Sequence, residues 1–301
     1  MALNHDRSFD PRHGEAVPVA DDVLRVTAPN ASAFTFKGTN SYIVGRDTLA
    51  VIDPGPDDSG HLGALLRAIN GRHVSHILLT HTHVDHSLLV PALVERTGAR
   101  TVAEGPHRAA RPLLDGEIDP LDASADRAFA PDIVLGDGEA IEGDGWQLRA
   151  VATPGHTMNH LAFAFEGTGI LFSGDHVMGW STSIVAPPDG SMPHYMASLD
   201  RLLAREDALY LPGHGGAIER PRPYVKGLKT HRIMREGAIL DRVRAGDGTI
   251  LRMVERIYHS TDKRLHGAAA LSVLAHLEDL VARGLVQADG APTLQAWYEA
   301  L

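Results

Sequence analysis

No cysteine occurs in the 301 residues, so the chain can form no disulfide and offers no thiolate to a metal. Any metal it binds must sit on histidine, aspartate or glutamate. The sequence also lacks a run of about 18 apolar residues of the kind that spans a bilayer. Its opening stretch, MALNHDRSFDPRHGEAV, has no apolar core of the secretory type. A cytoplasmic location without a membrane is therefore the expectation. Aromatic residues are scarce at 5%, and positive charge is outnumbered, 28 Lys and Arg against 38 Asp and Glu, for a formal net charge of -10. The deficit is uneven: 16 basic against 29 acidic side chains precede Pro221, and 12 against 9 lie from Pro221 onward. The acidic first region repels polyanions, which disfavours nucleic acid as a partner. What is abundant is apolar content, 44%, enough for a sizeable core, together with 18 histidines.

The length exceeds that of a usual single domain, so one large unit with a small companion is expected. In the first two-thirds, short β-rich runs alternate with amphipathic segments. Tyr42–Val44 and Leu49–Ile52 read as strands, and Leu62, Leu65, Leu66 and Ile69 repeat with helical spacing. Val74–Thr80 is a further strand running into HTHVDH, after which Leu88–Glu95 returns to a helical pattern. Strand-like runs follow at Ile133–Leu135, Gln147–Ala152, Leu161–Phe165 and Ile170–Phe172. Beyond the proline-rich ERPRPY the pattern turns helical, with Ile250, Met253, Val254 and Ile257 on one face. A second helix carries Ala270, Val273, Leu274, Leu277, Leu280 and Val281, and Gly284 stands where a cap belongs. A β-hairpin through Leu285–Thr293 would complete a small winged-helix-like unit. The division expected is 1–224 and 225–301.

His81, His83, Asp85 and His86 fall within six positions on the turn leaving a hydrophobic strand. In such a turn His81 and His83 can point one way while Asp85 and His86 reach a second point, so one segment can feed two neighbouring cations. Three later residues share a local context, a polar side chain just after an apolar strand and beside glycine: His156 in TPGHT, Asp175 in FSGDH and His214 in LPGHGG. His160, His176 and His194 lie in or near these loops, whereas His73, His107 and His276 read as ordinary packed or solvated histidines. Asp53, in AVIDPG, reads either as a supporting residue or as a tight-turn residue.

The ordered set HTHVDH, His156, Asp175 and His214 resembles the metallo-β-lactamase superfamily over roughly residues 36–216, and GTNSYIVG and AVIDPG resemble its entry strands. The resemblance implies an αββα sandwich, an α/β fold with its site at one edge of the paired sheets. The C-terminal runs HRIMREGAIL and HLEDLVARGLV further resemble a subgroup with a β-lactamase-associated winged-helix domain, which implies that a small, mainly α winged-helix-like domain follows. The superfamily resemblance implies that His81, His83 and His156 hold one metal, that Asp85, His86 and His214 hold a second, and that Asp175 bridges them. Asp53 and His160 would then support the ligands from behind, and Asp85 would also orient the nucleophile. The cofactors implied are two Zn2+, with Mn2+ or Fe2+ as alternatives. Ser87-Leu88-Leu89 departs from the small Gly-rich residues of many members.

With no cysteine, the thiolate-bearing β-lactamases are a poor match, and thioesterases, lactonases and RNA-processing members a better one. The expected activity is metal-dependent hydrolysis by a metal-bridging hydroxide. The substrate expected is an ester or thioester, a small molecule or an acyl group on a carrier. The alternatives are an endoribonuclease or phosphodiesterase acting on RNA and a mononuclear iron oxygenase. An RNA-binding face would draw on Arg232, Arg235 and Arg283. A homodimer contact through the C-terminal helices is a further expectation.

Overall fold

Alternation along the strands decides the architecture. In NSYIV every residue is buried, yet Tyr42 and Val44 face one apolar cluster while Ile43 faces another. A strand whose two faces are both covered belongs in the middle of a layered fold.

The computed structural model describes residues 3–115, 117–119 and 122–301. The chain runs β1 (Val17–Ala20), β2 (Val23–Thr27), β3 (Asn40–Val44), β4 (Thr48–Ile52), α1 (Ser59–Ile69), β5 (His73–Leu78), α2 (Val84–Ser87), α3 (Val90–Thr97), β6 (Arg100–Ala103) and β7 (Ile133–Val134). It continues through β8 (Ala140–Gly143), β9 (Trp146–Ala152), β10 (Leu161–Phe165), β11 (Ile170–Gly174), α4 (Met192–Leu203), β12 (Leu209–Pro212) and α5 (Pro221–Arg244). The last part holds α6 (Ile250–Ile257), α7 (His266–Ala282), β13 (Val286–Ala288) and β14 (Tyr298–Ala300). Among the described residues, β1 to β7 form one seven-stranded sheet in sequence order, and β12-β11-β10-β9-β8 form a five-stranded one.

The two sheets enclose Tyr42, Ile52, Leu78, Val102, Leu148, Phe163, Phe172 and Leu211. Each large side chain buried in this way stabilises by about 1.5–3 kcal/mol. On the outer face of the first sheet Ile43, Val51 and Ile77 meet Leu65 and Ile69 of α1 and Leu93 of α3. On the outer face of the second, Leu171 and Tyr210 meet Tyr195 and Leu199 of α4 and Val225 and Leu228 of α5. This is the αββα order. Local signals agree with it: α1 starts where the Asp58 side chain accepts from the backbone N–H of His61 and stops at Asn70 in a left-handed conformation.

The C-terminal part has its own cluster, Ile239, Met253, Val254, Val273, Leu274, Leu277, Val286 and Tyr298. The wing differs from its sequence expectation. Its first strand falls inside Leu285–Thr293, but its partner is Tyr298–Ala300, because residues 289–297 form the connection and Asp289 N–H bonds to the Trp297 carbonyl. Lys263–Ala282 has the length and mean hydropathy of a spanning helix, although Lys263, Arg264, Glu278 and Asp279 interrupt its apolar run. Here much of it is core, with Val273, Leu274, Leu277 and Leu280 almost fully buried.

Candidate metal centre

Asp53 follows β4, HTHVDH follows β5 after two residues, His156 follows β9, Asp175 follows β11 and His214 follows β12. The strand ends of both sheets thus deliver every expected ligand to one edge. Close packing there excludes other side chains. A Cβ at Gly213 would fall 2.4 Å from Asp175 Oδ1 and 2.8 Å from His86 Cε1, so that position takes only glycine.

Two sets of donor atoms gather at this edge. His83 Nδ1 lies 3.0 Å from His81 Nε2 and 3.1 Å from His156 Nε2. Beside them, Asp85 Oδ2 lies 3.4 Å from His86 Nε2 and 3.2 Å from His214 Nε2. Asp175 stands between the sets, with Oδ1 3.6 Å from His86 Nε2 and Oδ2 3.2 Å from His214 Nε2 and 3.9 Å from His156 Nε2. The triples His81–His83–His156, His81–His86–Asp175 and Asp85–His86–His214 each bring their ligand atoms within 4.8 Å of one another.

The outer nitrogens decide what the inner ones can do. Thr80 Oγ1 donates its proton to Asp53 Oδ2 at 2.7 Å, so it accepts from His81 Nδ1 at 3.0 Å. His156 Nδ1 donates to the Ile184 carbonyl at 2.6 Å, and His83 Nε2 faces the Asp189 carboxylate at 3.5 Å. His86 Nδ1 donates to Asp53 Oδ2 at 3.0 Å and His214 Nδ1 to the Gly38 carbonyl at 3.2 Å. A neutral imidazole carries one proton. With that proton committed outward, His81 and His156 turn bare lone pairs toward His83 Nδ1, and His86 and His214 turn theirs toward two carboxylates. Such an arrangement calls for positive charge in the middle, and its nitrogen and oxygen donors suit a divalent cation.

The protonation behaviour gives the same answer. Burial, helped by neighbouring histidines, pushes His81 far below its ordinary value, and burial with His83 takes His156 to about 4. Burial also opposes charge on His86, but Asp85, Asp175 and Asp53 outweigh it and lift that group well above its ordinary value. His214, likewise buried, is raised by Asp175 and Asp85 to about 10. Burial would raise Asp85 and Asp175, yet His86 and His214 pull both below the usual carboxylate range. In a metal-free chain, protons on His86 and His214 supply the charge that cations would bring.

Asp53 sits in the turn and also reaches the cluster. Its φ of 50° makes the turn, and its carboxylate takes the Thr80 N–H, the Thr80 hydroxyl and His86. His160 donates Nδ1–H to Thr153 Oγ1 at 2.8 Å and accepts the Asp175 backbone N–H on Nε2 at 3.2 Å. Ser87 is buried and donates to Asp126 at 2.8 Å, Leu89 is core, and Leu88 is exposed, so the departure after HTHVDH serves local packing. His194 is exposed and bonds Ser191, not the cluster.

Several residues at the site carry no local signal in the sequence. Asp189, 1% exposed, approaches His107 Nε2 at 2.7 Å as well as His83, so the packed His107 shares a carboxylate with a residue of the cluster. Asn40 donates through Nδ2 to the Pro212 and Gly215 carbonyls at 3.0 and 2.9 Å and fixes the turn bearing His214. The three arginines needed for an RNA face do not form one. Arg232 is buried, Arg235 stacks over Tyr258 at 4.2 Å, and Arg283 pairs with Glu236 and Asp279.

Known proteins share this arrangement of chain. The profile of the Metallo-beta-lactamase superfamily matches residues 34–214, and that of the Beta-lactamase associated winged helix domain matches 249–297. The Beta-lactamase-like protein 2 homolog of Drosophila melanogaster is 32% identical, covering 88% of this chain and 90% of its own. An atrochrysone carboxyl ACP thioesterase of Paecilomyces divaricatus is 32% identical, covering 83% of this chain and 74% of its own. The crystal structure of a beta-lactamase domain protein from Burkholderia ambifaria has a TM-score of 0.81 at 22% identity, covering 98% of this chain and 96% of that one, a likeness of fold.

Proposed function

Because the chain belongs to the metallo-β-lactamase superfamily and is a hydrolase, we propose that it holds two divalent cations, zinc in the first instance, and cleaves an ester or thioester. The observation that carries the metal assignment is the inward convergence of lone pairs on His81, His156, His86 and His214, whose outer nitrogens are each committed to a hydrogen bond. In this reading His81, His83 and His156 hold one cation, Asp85, His86 and His214 hold the other, and Asp175 joins both. The same donors accept Mn2+ or Fe2+. The substrate class rests on the thioesterase among the relatives and on the acidic catalytic region, which suits an acyl group on a carrier or small thiol better than RNA.

When bound, such cations polarise a scissile carbonyl and make water nucleophilic near neutral pH. The chain's own part is placement. Asp85 Oδ2 accepts from Thr39 Oγ1 at 3.2 Å, which holds the carboxylate where it can take a proton from an attacking water. Asp53 fixes His86 through a hydrogen bond and His81 through Thr80, while His160 holds the backbone under Asp175. In the same proposal the catalytic part ends at residue 224 and the C-terminal part begins at 225, with α5 running through the division.

A panel of acyl-pantetheine thioesters, lactones, an aryl phosphodiester and an RNA oligonucleotide, assayed with zinc and with chelator, tests the reading. The expected outcome is chelator-sensitive thioester or lactone cleavage with kcat/KM at least about a hundredfold above that for either phosphodiester. Preferred cleavage of RNA would overturn the acyl assignment and leave the metal assignment standing.

A further inference from the structure

The segment from Trp180 to Gly190, which lies between β11 and α4, touches the site at three points. The Ile184 carbonyl takes the outer proton of His156 at 2.6 Å. The Asp189 carboxylate faces the outer nitrogen of His83 at 3.5 Å, and is itself pulled below the usual carboxylate range by His107 and His83 against the effect of burial. Ser183 Oγ donates to the Asp175 carbonyl at 2.5 Å. Two of the three imidazoles of the His81–His83–His156 set therefore take their orientation from this one loop, and a ring fixed on its outer nitrogen keeps its inner lone pair aimed.

Within the catalytic part the loop is tied at its end: Pro188 accepts from Ala110 and Arg111, Gly190 donates to Ala186, and Ser191 donates to Gly155. Its middle is held from the C-terminal side. Arg232, on α5 and 3% exposed, donates through Nη2 to the Ser183 carbonyl and through Nη1 to Ser272 Oγ of α7 at 3.2 Å. Its guanidinium lies over the Tyr195 ring at 5.0 Å, and the Tyr195 hydroxyl donates to the His176 carbonyl, next to Asp175.

Among the described residues no ion pair joins Arg232 to a carboxylate, and its Nε has no hydrogen-bond partner. A buried cation without a counter-charge is costly, and an apolar side chain of similar length would fill the place without that cost. The value of a guanidinium here lies in what it grips, the carbonyl one residue before Ile184.

We propose that Arg232 is a positioning residue through which the C-terminal unit sets the geometry of the His81–His83–His156 pocket. The inference rests on the metal reading above. It assigns the winged-helix-associated part a role in metal affinity that is separate from substrate contact.

The test uses the full chain, stripped with chelator and titrated with cobalt(II), followed by visible absorption and by the number and affinity of equivalents bound. For Arg232→Met one equivalent should bind as in the parent and the other at least about tenfold more weakly, with its absorption band altered. Asp189→Ala should show the same split, since it unseats His83 from the same loop. Arg232→Lys, which keeps one donor for the Ser183 carbonyl, should recover part of the affinity and gives the decisive comparison if Arg232→Met does not fold. Parental affinity for both equivalents in the Arg232 variants, or equal weakening of both together with a lower Tm, would overturn the proposal. A parent that takes up no cobalt would instead sink the metal reading itself.

Discussion

Asp85, His86 and Asp175 show how far single residues can be read from the chain. HTHVDH is legible because one turn carries four ligand-type residues, and His156, Asp175 and His214 are legible because each ends an apolar strand beside glycine. Asp189, His107 and Arg232 are not, since their meaning depends on contacts made across 49 to 106 positions of chain. No local pattern marks a carboxylate that will meet His83, and an arginine on an amphipathic helix reads as surface until packing buries it. At this scale Asp175→Ala should lose turnover by at least about a hundredfold with the fold retained, because one carboxylate serves both donor sets. His194→Ala, at an exposed position bonded only to Ser191, should leave kcat/KM near that of the parent. Equal losses in both, measured beside circular dichroism, would mean that the cluster is not the reacting centre.

Elements were legible wherever periodicity was strong. Strands β3, β4, β5, β7, β9, β10 and β11 and helices α1, α3, α6 and α7 fall where alternation and helical spacing place them, whereas β1, β2, β6 and β8 are short and carry no comparable pattern. The second wing strand does not, because Pro292 and Gly290 suggest a turn closing early, whereas the connection extends to Trp297 and packs that ring against Gly248. The seam between α4, α5 and α7 carries a consequence for pH. Burial is the main cause that takes both His176 and His276 down to about 3, and neither ring has a hydrogen-bond partner. Unfolded chain takes up these protons near pH 6.5 while the folded protein refuses them to about 3. Stability from this source is thus whole above pH 6.5 and lost on acidification, by up to about 1.4 kcal/mol per histidine per pH unit. His214 has the opposite sign in metal-free protein: raised to about 10, it stabilises fully below pH 6.5, and that contribution is lost as pH rises through about 10. Chelator-treated protein should therefore show its highest Tm near pH 6.5, falling on both sides, and His276→Gln should make the acid limb shallower. An acid limb unchanged in that variant would show that the seam does not govern it.

At the scale of the whole molecule, the layer order follows from strands buried on both faces, and the site follows from the ends of those strands meeting at one edge. Composition bounded the chemistry to nitrogen and oxygen ligands before any fold was assigned, since cysteine is absent. What composition could not reach was the dependence of one half on the other: the C-terminal unit contributes Leu228 and Ala275 to the core behind the second sheet and Arg232 to the loop over the site. The central claim is that these parts build a site for two cations, with seven His and Asp donors exceeding what one tetrahedral ion can use. Elemental analysis of protein prepared without chelator, repeated after zinc is added back to stripped protein, tests it most directly. The account predicts close to two metal ions per chain in both preparations, and a ratio that stays at one or below after reconstitution would contradict it.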